Sequence, residues 1–154
     1  MAYYKRLNLE HVDEIAQEFL SIIPPEHLQE SNLRNIDHEA VKGLTLLWEE
    51  LAKLNLTRDD MLGVHLITVL PEHEFPVHQD GGKAGTALNW PIIGCRGTRT
   101  VYYELRKGVA KEDIRYNPSG EYYVYTDDQV EEVDSVEWDN QPIMLSVHDI
   151  HRPV

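Results

Sequence analysis

Residues 98–105 read Thr-Arg-Thr-Val-Tyr-Tyr-Glu-Leu, and this run decides the fold class. It is rich in β-branched and aromatic residues, which favour strands. Five further runs of this kind lie between residue 62 and the end of the sequence, and Gly, Pro, Asn and Asp residues separate them as turns would. We therefore expect an antiparallel sandwich or barrel. The six predicted strands are 62–70, 86–93, 98–105, 121–126, 130–138 and 142–147.

The first third of the chain follows the helical period instead. Apolar residues recur at helical spacing over residues 9–23, and Pro24 and Pro25 end that pattern. A second helix is predicted after Asp37, which suits an N-cap, and runs to about Leu54. The expected architecture is mainly β with N-terminal helices.

Length and composition favour one globular domain. The chain has 154 residues with 42% hydrophobic and 27% charged residues, which is ordinary globular usage. No linker rich in Gly, Ser or Pro divides it, so we expect a single domain over residues 1–154. In that domain a helical part, 1–60, would pack on a β core, 61–154.

Charge and cysteine usage exclude several classes of protein. The formal net charge is −13, which disfavours binding to nucleic acid or to an anionic membrane surface. Four acidic residues within the first 25 exclude a signal peptide, and the apolar runs are too short to span a bilayer. The single cysteine, Cys95, fits a reducing compartment, so a cytoplasmic protein is expected.

The most unusual motif is His78-Gln79-Asp80, which follows a proline-containing approach and precedes Gly81-Gly82. On an extended segment the side chains of His78 and Asp80 leave the same face, so both can reach one small cation. A third ligand has to come from a distant segment, and His148 and His151 are the candidates. These two histidines are three positions apart, so on one extended strand they would point to opposite faces.

Two histidines and one carboxylate on one side of a metal leave other coordination positions open. This donor set is associated with non-haem Fe(II) oxygenases. Hydrolases use a similar set to hold zinc, so the residues alone leave both metals open.

The β part of the chain resembles the 2-oxoglutarate/Fe(II)-dependent oxygenase superfamily, in particular its small bacterial and phage members. The resemblance covers about three fifths of the chain, and the matching segments are residues 71–80, 87–93, 98–104 and 141–154. It implies a double-stranded β-helix (jelly-roll, cupin-like) core. It also implies Fe(II) held by His78, Asp80 and His151, with His148 as the rival third ligand.

The same resemblance implies a site for 2-oxoglutarate beside the metal. In the family a basic residue about ten positions after the distal histidine grips the far carboxylate, whereas this sequence ends three residues after His151. Either a longer parent chain supplies that residue, or Arg99 or Arg96 replaces it, or the protein binds metal without oxidation. Asn89 and Tyr102 are further candidates for contact with the co-substrate, and Tyr103 is an alternative to Tyr102.

The leading functional hypothesis is an oxygenase that hydroxylates an unidentified small molecule or peptide and releases succinate and CO₂. The alternative is a cupin-like jelly-roll module that binds a metal or ligand without oxidation. A third reading is an accessory subunit whose acidic surface docks on a basic partner. The sequence indicates neither the substrate nor the oligomeric state.

Overall fold

The computed structural model describes residues 2–82, 85–110, 113, 115–117 and 122–154, with only the backbone for 115–117. It is mainly β, with antiparallel sheets and few helices, which confirms the predicted class. Glu121, which was predicted to begin a strand, lies outside the described residues.

Eleven strands form three antiparallel sheets within the described residues. The strands are β1 (Tyr4–Arg6), β2 (Asn32–Asn35), β3 (His65–Thr68), β4 (Val77–Asp80), β5 (Thr86–Asn89), β6 (Arg99–Leu105), β7 (Arg115–Asn117), β8 (Tyr122–Tyr125), β9 (Val130–Glu137), β10 (Ile143–Ser146) and β11 (Ile150–Pro153). One sheet has the order β1-β10-β5, the largest has the order β7-β8-β4-β11-β6-β9, and β2 pairs with β3 alone.

The three-stranded and six-stranded sheets share one apolar cluster. Tyr102 and Val136 from the six-stranded sheet are buried together with Ile143, Leu145 and Val147, which come from β10 and the turn after it. We call the faces that meet at this cluster the inner faces. A second cluster, which includes Val77, Val101, Tyr103 and Ile150, covers the outer face of the six-stranded sheet. The six-stranded sheet therefore buries apolar residues on both faces.

Three α-helices lie in the first third of the chain, and they differ from the prediction at one point. α1 spans Val12–Ile22 and buries Val12, Ile15 and Phe19 as its period predicts. The single helix predicted over 37–54 is wrong, because the structure has α2 (His38–Lys42) and α3 (Thr45–Ala52) there. Gly43 ends α2 and Leu44 is extended, since glycine weakens a helix and permits the break. Asp37 caps α2 as predicted, accepting the N–H of Glu39 at 3.0 Å.

The chain divides into two compact units. One comprises residues 8–73 and contains the helices with the β2–β3 ribbon, and the other comprises residues 1–7 and 74–154. The strand predicted over 62–70 is thus found as β3, paired with β2 in the first unit. No helix among the described residues has both the length and the apolar character needed to cross a lipid bilayer.

Candidate metal centre

The sequence around β4 and β11 explains why their histidines meet. Pro76 has no backbone N–H and favours extended backbone at Phe75, so regular pairing begins at Val77. The chain later leaves β10 at Ser146, turns through residues 147–149, and enters the other sheet as β11. β11 then lies between β4 and β6, in the interior of the six-stranded sheet.

Three aromatic side chains form a row across these strands. His151 is the Cα partner of His78 on β4 and of Tyr102 on β6, so all three side chains lie on the same face. This is the inner face, since Tyr102 belongs to the cluster between the sheets. The ring centroids of His78 and His151 are 4.4 Å apart, and those of Tyr102 and His151 are 6.0 Å apart.

Backbone carbonyl groups orient both imidazole rings in the same way. His78 Nδ1 lies 2.9 Å from the carbonyl oxygen of Pro76, and His151 Nδ1 lies 2.8 Å from that of Asp149. A carbonyl oxygen can only accept, so each Nδ1 carries the proton and donates it. In the neutral rings both Nε2 atoms therefore keep a lone pair. A histidine that binds a metal through one ring nitrogen usually donates a hydrogen bond from the other nitrogen, as both rings do here from Nδ1.

Asp80 stands at the end of β4 on the same face as His78. Its Oδ1 atom lies 3.9 Å from His78 Nε2, and its side chain is 41% exposed. Metal ligands need bonds of about 2.0–2.2 Å, so Asp80 has to turn towards the histidines before all three can bind one ion. The exposed carboxylate is the group with most freedom to make that movement.

Electrostatics keep His151 neutral. Its pKa is lowered first by burial and second by the nearby His78, whose positive charge would oppose a second one. Only a neutral imidazole can ligate a metal, so the environment favours the competent form. Burial also raises the pKa of the Tyr102 hydroxyl, which therefore stays protonated and can donate a hydrogen bond.

His148, the rival ligand, lies elsewhere. Its Nε2 atom is 3.0 Å from the carbonyl oxygen of Gly82, to which it donates, and a Cβ added at Gly85 would meet its ring at 3.5 Å. The residue is exposed in the turn between β10 and β11. The expectation that His148 and His151 share one strand is wrong, because the strand ends at Ser146 and pairing with β4 and β6 sets the face of His151 instead.

The three residues expected to contact 2-oxoglutarate are placed differently from one another. Tyr102 lies in the histidine row, and its hydroxyl is buried. Asn89 is the Cα partner of Ile143 and so lies on the inner face of the three-stranded sheet. Arg99 lies on the outer face of β6, two residues from Val101, where it pairs with Glu132 at 3.3 Å. The structure thus brings Tyr102 to the histidines and turns Arg99 away from them.

Several contacts of this region are not apparent from the sequence. Tyr122, the Cα partner of Asp80, packs edge-on against His78 with ring centroids 5.8 Å apart. Tyr3 stacks on Tyr102 with centroids 4.9 Å apart. The signal that points to Tyr3 is the short Tyr3-Tyr4 pair before the first helix, which is too brief to predict strand β1.

A second group of ligand atoms occurs in the helical unit. Glu10, His11 and Glu50 are the one set of three among the described residues whose ligand atoms lie within 4.8 Å of one another. Lys53 already pairs with both carboxylates, with Nζ at 2.6 Å from Glu50 and 3.4 Å from Glu10. This ammonium lowers the pKa of Glu50, which is buried. The cluster therefore has a cation of its own, and we assign it no metal.

Surface hollows occur in both units of the chain. One of about 360 Å³ is lined by residues of segments 29–31 and 70–73. Another, of about 550 Å³, is lined by residues 106–109, by Asp113 and by residues of segment 126–129. Neither includes His78, Asp80 or His151.

Comparison of this chain with protein-family models, with curated proteins and with solved structures found no match in any of the three.

Proposed function

We propose that the protein is an Fe(II)- and 2-oxoglutarate-dependent oxygenase whose metal ligands are His78, Asp80 and His151. The observation that carries this proposal is the shared anchoring of the two imidazole rings. Each donates Nδ1–H to a carbonyl two residues earlier, and the rings face each other at 4.4 Å. Two Nε2 lone pairs and one carboxylate on a single face match the donor set of non-haem iron enzymes.

The proposed fold is a jelly roll. Two antiparallel sheets that share a buried cluster support it, as does the position of the ligands on the inner face of the larger sheet. A jelly roll would place the metal between the sheets, where surrounding side chains limit the access of water.

The three ligands would each bind the metal through one atom, and Tyr102 would contact the co-substrate. His78 and His151 bind through Nε2, and Asp80 binds through a carboxylate oxygen after turning inward. Bound Fe(II) would supply the oxidative chemistry with O₂ as the oxidant: one oxygen atom would enter the succinate formed from 2-oxoglutarate as CO₂ leaves, and the other would enter the hydroxylated substrate. Tyr102, held protonated in its buried position, would donate a hydrogen bond to the co-substrate.

The alternative is a jelly-roll module that binds metal without oxidation. The position of Arg99 favours it, because this cation is paired with Glu132 on the face opposite the histidines.

Succinate formation separates the two functions. The purified chain, loaded with Fe(II) and supplied with 2-oxoglutarate and O₂, is expected to release succinate even without a substrate. The double variant His78→Ala, Asp80→Ala is the control and should release none. Equal succinate from both proteins, or none from a wild-type chain that holds its iron, would contradict the oxygenase proposal and, in the second case, favour the binding module.

A further inference from the structure

We propose that Gln79 is a positioning residue, whose side-chain amide fixes the turn that delivers His151 to the metal. This inference rests on the proposed function, since it concerns the same three ligands. Gln79 stands between His78 and Asp80 in the sequence, so its side chain leaves the opposite face of β4. It cannot ligate the same ion and must act through the backbone.

Both ends of the Gln79 amide are engaged. Nε2 donates to the carbonyl oxygen of His148, and Oε1 accepts from the hydroxyl of Tyr125 at 2.7 Å. Tyr125 is buried and is the Cα partner of Val77, so it is itself fixed against β4. We call the set formed by Gln79, Tyr125 and the His148 carbonyl the clamp.

The turn that carries His148 needs such a tie. The ladder between β11 and β4 has a single Cα pair, His151 with His78, among the described residues. One backbone hydrogen bond, from Asp80 N–H to the Val147 carbonyl at 2.9 Å, joins the same segments. The clamp adds a side-chain connection three residues before His151, in addition to the hydrogen bond from the His148 ring to the Gly82 carbonyl.

Because a metal requires precise ligand positions, the clamp should affect metal binding as well as the stability of the fold. Coordination tolerates errors of only about 0.2 Å, so a small shift of the turn would separate His151 from His78 and Asp80. Loss of a group that orients a ligand typically weakens metal binding about 10- to 100-fold. The expected signature is a loss of metal affinity larger than the loss of stability can explain.

Gln129 offers a matched control. Its amide is also engaged at both ends, accepting from the N–H of Thr126 at 2.9 Å and donating to the carbonyl of Asp113 at 2.8 Å. It lies in the turn before β9, a segment that carries none of the three ligands. Gln→Met at either position keeps the length of the side chain and removes both hydrogen bonds.

The test is a titration of the full chain with Co(II), followed by its visible absorption, alongside urea unfolding of each metal-free variant. We expect Gln79→Met to weaken Co(II) binding about 10- to 100-fold, and Tyr125→Phe to weaken it more than about threefold. Gln129→Met should stay within about threefold of wild type even if it unfolds at a similarly reduced urea concentration. The double variant Gln79→Met, Tyr125→Phe should bind no more weakly than Gln79→Met alone, since both changes break one network.

Wild-type affinity in Gln79→Met would overturn the clamp and leave the proposed function intact. An equal loss in Gln129→Met would also overturn it, because the effect would then follow general stability. If Gln79→Met does not fold, Tyr125→Phe decides, and unchanged Co(II) affinity there is the contrary result. A wild-type chain that binds no Co(II) would instead refute the proposed metal site, and the clamp with it.

Discussion

At the scale of single residues, hydrogen bonds decide which nitrogen of each histidine is available. Pro76 and Asp149 accept from Nδ1 of His78 and His151, while His148 uses Nε2 to reach Gly82. His78 and His151, whose rings lie on the inner face, therefore keep Nε2 available for a metal. The ring of His148 instead forms a hydrogen bond with the loop after β4.

This difference predicts opposite effects of two alanine substitutions. His151→Ala should weaken Fe(II) binding by more than about 100-fold, beyond the loss typical of an orienting partner, and should abolish succinate formation. His148→Ala, the matched control three residues away, should keep metal affinity within about threefold. Anaerobic Fe(II) titration measures both. The reverse order, with His148 essential and His151 dispensable, would refute the ligand assignment.

The lowered pKa of His151 predicts a pH dependence for the metal-free protein. The unfolded chain takes up a proton at this residue near pH 6.5, whereas the folded chain does so only at lower pH. The unfolded state therefore binds more protons below that pH, and the stability gained above it is lost as the pH falls. Urea unfolding between pH 8 and 5 should show a steeper decline for wild type than for His151→Leu. Parallel profiles of the two proteins would contradict the cause given for the shift.

At the scale of elements, the local sequence pattern predicts whether a segment is a helix or a strand better than it predicts where the segment ends. The period of residues 9–23 identifies α1, because it reflects the one face that the helix buries. The β-branched and aromatic composition of 98–105 identifies β6, which is buried on both faces. The break at Gly43 is a local signal that the amphipathic pattern on both sides obscures. β1 and β2 are too short to show a period, and they form because distant strands offer hydrogen bonds.

In the candidate site too, one part follows from local sequence and another depends on pairing with distant strands. The pairing of His78 with Asp80 follows from their spacing alone, since alternate residues of a strand share a face. The position of His151 depends on a chain reversal at residues 147–149 and on pairing with two strands far away in sequence. Alternation within 142–151 has no bearing on it, because two strands of different sheets lie there.

The packing of the two sheets predicts the cost of a core substitution. Ile143 is fully buried in the cluster that both sheets share. Ile143→Ala should lower the free energy of unfolding by about 2–5 kcal/mol, through lost burial and the cavity left behind. Leu33→Ala is the comparison, because Leu33 is 57% exposed and should cost less than about 0.5 kcal/mol. Urea denaturation gives both values, and a small loss at Ile143 would argue against the shared core.

At the scale of the whole molecule, neither the net charge nor the β architecture identifies a function. The proposed function therefore rests on one small region. A net charge of −13 disfavours polyanionic partners, and the fold class alone specifies no reaction. The six-stranded sheet contributes all three proposed ligands, from β4 and β11. The proposed function therefore requires one metal ion to bind between those two strands.

A crystal structure of the chain grown with Mn(II), a stable substitute for Fe(II), would show whether an ion binds there. We expect one anomalous-scattering peak within about 2.2 Å of Nε2 of His78, Nε2 of His151 and a carboxylate oxygen of Asp80. Both Nδ1 atoms should still donate to the carbonyl groups of Pro76 and Asp149. A peak bonded to His148, a peak at Glu10 and Glu50, or an absence of any peak beside His78 would contradict the proposed metal site.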